Sequence, residues 1–552
     1  MTQSDFLSIL PLLALVTWAC LLLLVDLFIP KNRKGWTALL AAVGLALTMG
    51  LALAQAGEDL SGFGGMVHLD GFSSFLAVLF LGSGLLGVAV AYGYLKRMNI
   101  ERGEFYALLL FSISGMLLMA QAADLIVIFL ALELLSIPLY VLAAFARPKA
   151  ESEEAGLKYF LLGSFATGFM VYGISLVYGA TGSTSLAGIA ASLGQNPPGI
   201  LLVIGAALIL VGFGFKVAAV PFHMWTPDVY QGAPTPVTAF MSVGAKAAGF
   251  AALLRIFVSA FPTLVADITP VLWALAALTM VIGNVVAIAQ TNIKRMLAYS
   301  SIAHAGYILM ALTAFGNGEV SGDAVASALF YLVTYALTSF GAWSVVMNLE
   351  KPDGKGLEIN DFAGLGRSKP ALAAMMTIFM LSFTGMPPTI GLVGKFYLFR
   401  TAIEGGFIWL AVIGVVTSLI SAYYYLRVVV TMYMREGDPQ ATGEFWLNFA
   451  IGFAALATVI LSFVPAALFG WASLAVTFGV LLLARRISKV QPAEADEAST
   501  RFNQPSSWHW GEGWRPALLS AAAMLLVAST FFLRVPQGLA AWLGALPAYL
   551  DG

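Results

Sequence analysis

The sequence predicts an all-α polytopic membrane protein of about fourteen transmembrane helices. Three observations carry this. The 552 residues are 60% hydrophobic and only 10% charged, whereas a soluble domain is nearer one quarter charged. Apolar runs of about 20 residues, the length that crosses a bilayer, recur along the chain. The loops between them alternate in charge, as loops on opposite sides of a membrane do.

Taken in order, the spans fall at 6–29, 35–55, 72–94, 105–122, 124–145, 157–178, 199–220, 233–258, 268–289, 297–314, 324–348, 371–402, 406–432 and 445–467. The first reads as a membrane helix and not a cleaved leader. Ser8 to Ile29 is too long for an h-region, Asp5 makes the flank acidic, and no A-x-A site precedes Lys31. Two further apolar stretches, 471–484 and 516–534, predict a carboxy-terminal extension of one or two helices around the polar loop 485–515. Basic residues mark nearly every second loop: Lys31/Arg33/Lys34, Lys96/Arg97/Arg102, Arg147/Lys149, Lys294/Arg295, Lys351/Lys355/Arg367/Lys369 and Arg485/Arg486/Lys489. The intervening loops 56–70, 179–198, 259–267, 315–323 and 403–405 hold no Lys or Arg. The basic loops therefore face the cytoplasm and the amino terminus faces away from it. The segment 221–232 breaks this rule, with only His223 and Asp228, and is expected to be a re-entrant, partly buried elbow.

Composition also excludes function classes. A net charge of −1 leaves no basic footprint for nucleic acid. The single cysteine, Cys20, cannot ligate an iron–sulfur cluster or build a thiolate zinc site. No GxxxxGK[ST] or GxGxxG stretch is present, so nucleotide binding has no support. No cofactor is expected on this chain.

Ionisable residues within the spans carry the functional argument, because a charge in hydrocarbon costs roughly 2.5–3.5 kcal/mol on insertion scales. Glu133 lies mid-span, little more than a turn before Pro138. It reads either as a structural glutamate or as a carboxylate partner for a lysine on a facing helix. Lys216 sits between Gly212/Gly214 and Pro221, where a bend or unwound stretch is expected. It is either a snorkelling lysine near the cytoplasmic end or an ion site at a helix break. Lys246, amid Gly244, Ala245, Ala247, Ala248 and Gly249, is too central to snorkel easily, and small neighbours allow tight packing around it. A second break, at Gly385, Pro387 and Pro388, precedes Lys395, which reads as an outward snorkeller or a second ion site in the outer half. Lys158, His223, His304, Tyr299, Ser300 and Ser301 are lesser candidates.

At these residues the chain resembles a known family. LELLSIPLYVLAAF (132–145), FKVAAVPFHMWTPDVYQGAPTPVTAFMSVGAKAAGFA (215–251), NIKRMLAYSSIAHAGYILM (292–310) and FTGMPPTIGLVGKFYLF (383–399) resemble the antiporter-like subunit N of respiratory complex I, the proton-translocating NADH:quinone oxidoreductase. VYQGAPTPVTAF favours subunit N over its sister subunits M and L and over the multisubunit sodium/proton antiporters. The resemblance covers roughly residues 1–467. It implies two inverted five-helix repeats, here 105–260 and 261–434, between amino-terminal helices 1–104 and carboxy-terminal helices 435–552. It implies that Glu133 and Lys216 form a first-half pair, that Lys246 is the central connector and that Lys395 lies near the exit. It adds Lys158 and His223 to the polar axis; His304, two to three turns in from Lys294/Arg295, reads from its position alone as a proton relay or as a structural histidine. It also implies a non-redox subunit of a bacterial inner-membrane enzyme, packed against subunits M and K, with quinone reduction occurring elsewhere. A sodium/proton antiporter subunit is the alternative, and a structural membrane spacer is a third reading.

Overall fold

The computed structural model describes residues 2–477 apart from 196–197, 262–263 and 316–319. The loop 485–515, the apolar segment 516–534 and the end of 471–484 lie outside the described residues. In chain order the helices are α1 (Gln3–Ser8), α2 (Leu10–Asp26), α3 (Gly35–Ala54), α4 (Gly71–Arg97), α5 (Glu104–Gln121), α6 (Leu125–Ala143), α7 (Ala150–Thr181), α8 (Leu186–Gln195), α9 (Ile200–Val217), α10 (Trp225–Gly232), α11 (Thr235–Phe240), α12 (Lys246–Ser259), α13 (Val265–Ile288), α14 (Ile293–Ala314), α15 (Ser321–Leu349), α16 (Leu365–Ser368), α17 (Pro370–Thr384), α18 (Ile390–Glu404), α19 (Ile408–Met434), α20 (Phe445–Phe463) and α21 (Pro465–Val476).

Among the described residues, twelve helical stretches are long and apolar enough to cross a membrane, α11 and α12 counting as one. Helix α2 and the broken pair α17/α18 bring the total to the number of spans expected. The last of these, expected to end at 467, stops at Phe463, because Pro465 opens α21 as an N1 residue. Two loops hold unexpected structure. Residues 56–70 contain a short antiparallel hairpin, β1 (Leu60–Gly62) with β2 (Val67–Leu69), to which Ser4 and Asp5 tie the amino terminus. The loop 179–198 contains α8.

The core runs along α11, α12, α14 and α15. The residues of α11 and α12 are all buried and nearly all of those of α14 are, against 39% over the most apolar stretch of α7 and of α19. Around them α7 packs on α9, and α13 on α14 and α19. The outer helices turn apolar faces outward, as Leu24, Leu130, Leu419 and Leu456 do. That is the expected surface when lipid replaces water.

Two buried polar clusters clamp the frame. At the start of α4, Asp70 caps the helix through Ser73 and accepts both guanidinium nitrogens of Arg255 at 2.9 Å each. At the other end of the bundle, Glu350 accepts from Tyr94 (3.0 Å) and from Thr235 (2.5 Å), tying α4 and α15 to the first residue of α11.

Candidate functional site

The first break follows Lys216. Helix α9 ends at Ala218, a non-glycine residue in the left-handed region (φ 61°), and the amide of Ala219 turns back to Gly214. The elbow that follows is largely buried, with His223 and Trp225 both inside, which explains its lack of Lys and Arg. Its stem is fixed by Trp225, which donates to the carbonyl of Phe215 and stacks flat on Tyr159 at 4.6 Å. Lys216 is 4% exposed and does not snorkel. Its ammonium donates to Ser136 Oγ (2.8 Å) and to the Tyr159 hydroxyl (3.2 Å).

Glu133 stands on the same helix as Ser136, but it is half-buried and accepts from Thr167 of α7 at 2.8 Å. Among the described residues no ion pair joins Glu133 to Lys216, so the expected direct pair is a near neighbourhood instead. The physical reason is reach: Ser136, one turn along, faces α9, while the glutamate turns toward α7.

Lys246 is 2% exposed and follows a π-helical turn, Met241–Ala245. Such turns insert an extra residue and re-aim the side chain after them. The ammonium donates to Ser301 of α14 twice, to Oγ (2.5 Å) and to the carbonyl (2.7 Å). Gly249, three residues on, lets the stem of Lys216 run against α12: a Cβ there would stand 3.2 Å from Lys216 Cγ and 3.0 Å from Val217. Gly249→Val should therefore push Lys216 off Ser136. Overpacking of this kind costs about 1–3 kcal/mol. Proton flux several-fold below wild type at normal assembly, read in vesicles, checks it.

From Ser301 a polar chain continues. Neighbouring Ser300 meets the Tyr425 hydroxyl, which lies 3.1 Å from His304 Nε2, and His304 Nδ1 meets Tyr331 at 2.6 Å. Tyr299, a lesser candidate, instead lies beneath Arg295. The second break ends α17 at Gly385 (φ 87°), a position that favours glycine and where a Cβ would also press on Lys395 Cδ at 3.0 Å. Lys395 folds back to this break, donating to the Thr384 carbonyl (3.0 Å) and Ser418 Oγ (2.7 Å), 4.8 Å from the Tyr307 ring. It is 3% exposed, so it is no surface snorkeller. By helical rise it stands about 14 Å short of the end of α18.

A cleft of about 470 Å³ opens at the loop end of α7 and α14, lined by Glu154, Lys158, Asp228, Gln231, Asn292 and Arg295 among others. Lys158 bridges Glu154 (2.6 Å) and Asp228 (2.8 Å), and Arg295 holds the other Asp228 oxygen at 2.8 Å. Burial pushes the Asp228 carboxyl up, but hydrogen bonds from Lys158 and Arg295 outweigh it and hold it below the usual carboxylate range. A depressed acid stabilises above its unfolded value and loses that contribution as pH falls through its folded one. The elbow should thus stay docked from neutral pH down to about pH 4 and loosen only below it. Hydrogen exchange across 221–232 reads this, and Asp228→Asn should remove the acid transition. His223 is buried beside this region, with Nδ1 unpartnered among the described residues. The sequence offered no signal for Ser136, Tyr159, Thr167, Tyr331, Tyr425 or Ser418. Among the described residues no cluster of metal-ligating side chains is found.

Buried lysines at two helix breaks, joined by hydroxyls and a histidine inside a polytopic bundle, define an antiporter-like, ion-handling membrane protein. The family follows: residues 122–421 match the model described as NADH:quinone oxidoreductase/Mrp antiporter, TM, and the chain belongs to that family, among its NADH-quinone oxidoreductase subunit N members. Proteins of that name from Chloroflexus aggregans and Trichlorobacter lovleyi are each 49% identical, over 83% and 80% of this chain and 94% and 89% of theirs. Among solved structures, a chain of respiratory complex I from Thermus thermophilus with bound aureothin is 37% identical, with TM-score 0.72 over 84% of this chain and 99% of that one. A chain of the Mrp complex from Dietzia sp. shares the fold (TM-score 0.76, 86% and 97% covered) at 19% identity.

Proposed function

We propose that this chain is the proton-translocating subunit N of a bacterial NADH:quinone oxidoreductase, with Glu133, Lys216, Lys246 and Lys395 as its proton-carrying residues. The observation that carries the reading is that all three lysines end on neutral oxygens inside the bundle. An ammonium so placed has no carboxylate to lock its proton, so a small change in hydration or in a neighbour's charge moves it. Protons enter at the Lys158/Asp228/Arg295 cleft, with His223 beside it, pass Lys216 and Lys246, and reach Lys395 through Ser300, Tyr425 and His304. Glu133 tunes Lys216 through space. Quinone reduction elsewhere in the complex supplies the drive.

Residues 105–260 and 261–434 act as two inverted halves, each contributing one broken helix with a lysine at the break. The amino terminus faces away from the cytoplasm of the inner membrane, as the loop charges require, and neighbours of the subunit M and K type flank the chain. The identity to subunit N proteins favours this reading over a sodium/proton antiporter. In inverted vesicles, Glu133→Ala in the assembled complex should lower protons pumped per NADH several-fold with NADH oxidation retained. An unchanged ratio at normal assembly removes Glu133 from the axis, and sodium-dependent proton flux by the isolated chain in liposomes would favour the antiporter.

A further inference from the structure

An apolar groove of about 410 Å³ runs down the outside of the bundle, away from the lysine axis. Helix α4 forms its floor, and α3 and α20 both pack on α4 as its walls. Small residues make the depression: Gly35, Ala38 and Ala42 on α3 and Ala89 on α4, with Trp446 and Phe449 closing the far side. These α3 positions span about 10 Å of one helix face. Trp36 and Trp446 stand exposed at the same end, 58% and 49% accessible. Paired indoles of this kind mark the headgroup level of a bilayer.

That end of the groove is also its charged mouth. Gly35 packs beside Tyr92 near the end of α4, and Gly93 packs beside Glu444, just before α20. All three helix ends therefore meet there. Five cations flank these helix ends in the chain: Lys31, Arg33 and Lys34 just before α3, and Lys96 and Arg97 at the end of α4. Two are neutralised, Lys34 by Asp26 and Arg97 by Glu444. Lys31, Arg33 and Lys96 are exposed and have no ion-pair partner among the described residues. A dry slot beneath unpaired surface cations complements one chemistry, an acyl chain below an anionic headgroup.

We propose that an anionic phospholipid occupies the groove between α3, α4 and α20, with one acyl chain along Ala38, Ala42 and Ala89 and its phosphate among Lys31, Arg33 and Lys96. The bound lipid fills a gap that the helices leave open and anchors α20 to the amino-terminal helices. The test uses the intact complex in lipid nanodiscs with phosphatidylglycerol carrying a photoreactive acyl chain, and the matching phosphatidylcholine probe. Phosphatidylglycerol should label α3 and α20 peptides on the order of tenfold more than phosphatidylcholine. The exposed substitutions Lys31→Gln, Arg33→Gln and Lys96→Gln together should bring it down to the phosphatidylcholine level. Ala42→Trp should abolish labelling by both probes at α3 and leave other sites unchanged. Equal labelling by the two probes overturns the proposal. So does an unlabelled groove in the wild-type complex, which would mean that protein, a neighbouring subunit or residues 478–552, covers it.

Discussion

Lys246→Met should stop proton transfer through the assembled complex, with protons pumped per NADH at least tenfold below wild type in inverted vesicles. Methionine matches the lysine stem in length and apolar character, so the π-helical turn at Met241–Ala245 and the packing of α12 survive. What is lost is the one group that donates to Ser301 of α14 from this position. Stranding that oxygen costs about 1–3 kcal/mol, which a core this size tolerates. The sharper variant is Lys246→Arg. A guanidinium keeps the positive charge but does not release its proton at any physiological pH. If Lys246 only held α12 to α14 by charge and hydrogen bonding, arginine would restore pumping. If it passes a proton, arginine should fail as completely as methionine. Pumping near wild type in Lys246→Met, at normal assembly, would remove Lys246 from the path.

The three lysines were legible because composition makes them conspicuous: an ammonium in an apolar run has no ordinary explanation. The breaks were legible for a similar reason: Pro221, Pro387 and Pro388 carry no amide hydrogen to continue a helix, and Gly385 takes the left-handed conformation that ends α17, although Gly212 and Gly214 stay helical within α9. The partners were not. Serine, threonine and tyrosine occur throughout these spans, and nothing local sets Ser136 apart from Ser112 or Tyr425 from Tyr423. Their roles depend on which helix lies opposite, a long-range property: Lys216 meets Ser136 80 residues away and Ser300 meets Tyr425 125 residues away. Charge suggested a lysine partner for Glu133 and the family resemblance pointed to Lys216, but neither says that Thr167 would lie closer. The π-helical turn leaves no mark in the sequence, because it is a backbone register and needs no particular residue. Arg255 was overlooked for another reason. It falls in the last turn of its span, where a basic residue ordinarily reaches for the headgroups.

Arg255→Leu is expected to give the largest loss of stability on the chain, about 3–5 kcal/mol, read as a lowered unfolding midpoint of the full chain in detergent. Arg255 is 0% exposed, and its two bonds to Asp70 satisfy a carboxylate that is itself 3% exposed. The guanidinium also lies 4.9 Å over the Phe72 ring. Leucine fills part of the space but leaves Asp70 as a buried, unpaired charge at the cap of α4, and that stranded carboxylate is the source of the cost. Asp70→Asn in the same chain should recover much of the loss, because the amide oxygen still accepts from the Ser73 amide while the charge is gone. Arg255→Lys should fall between, since an ammonium cannot make the two parallel bonds. A midpoint unchanged in Arg255→Leu would mean that water reaches the pair. The consequence for function is geometric. Lys246 and Arg255 lie about 14 Å apart along α12 by helical rise, so the Asp70 clamp sets the rotation and height at which Lys246 meets Ser301. A variant that folds with this clamp loosened should therefore pump less well, although neither Asp70 nor Arg255 carries the proton.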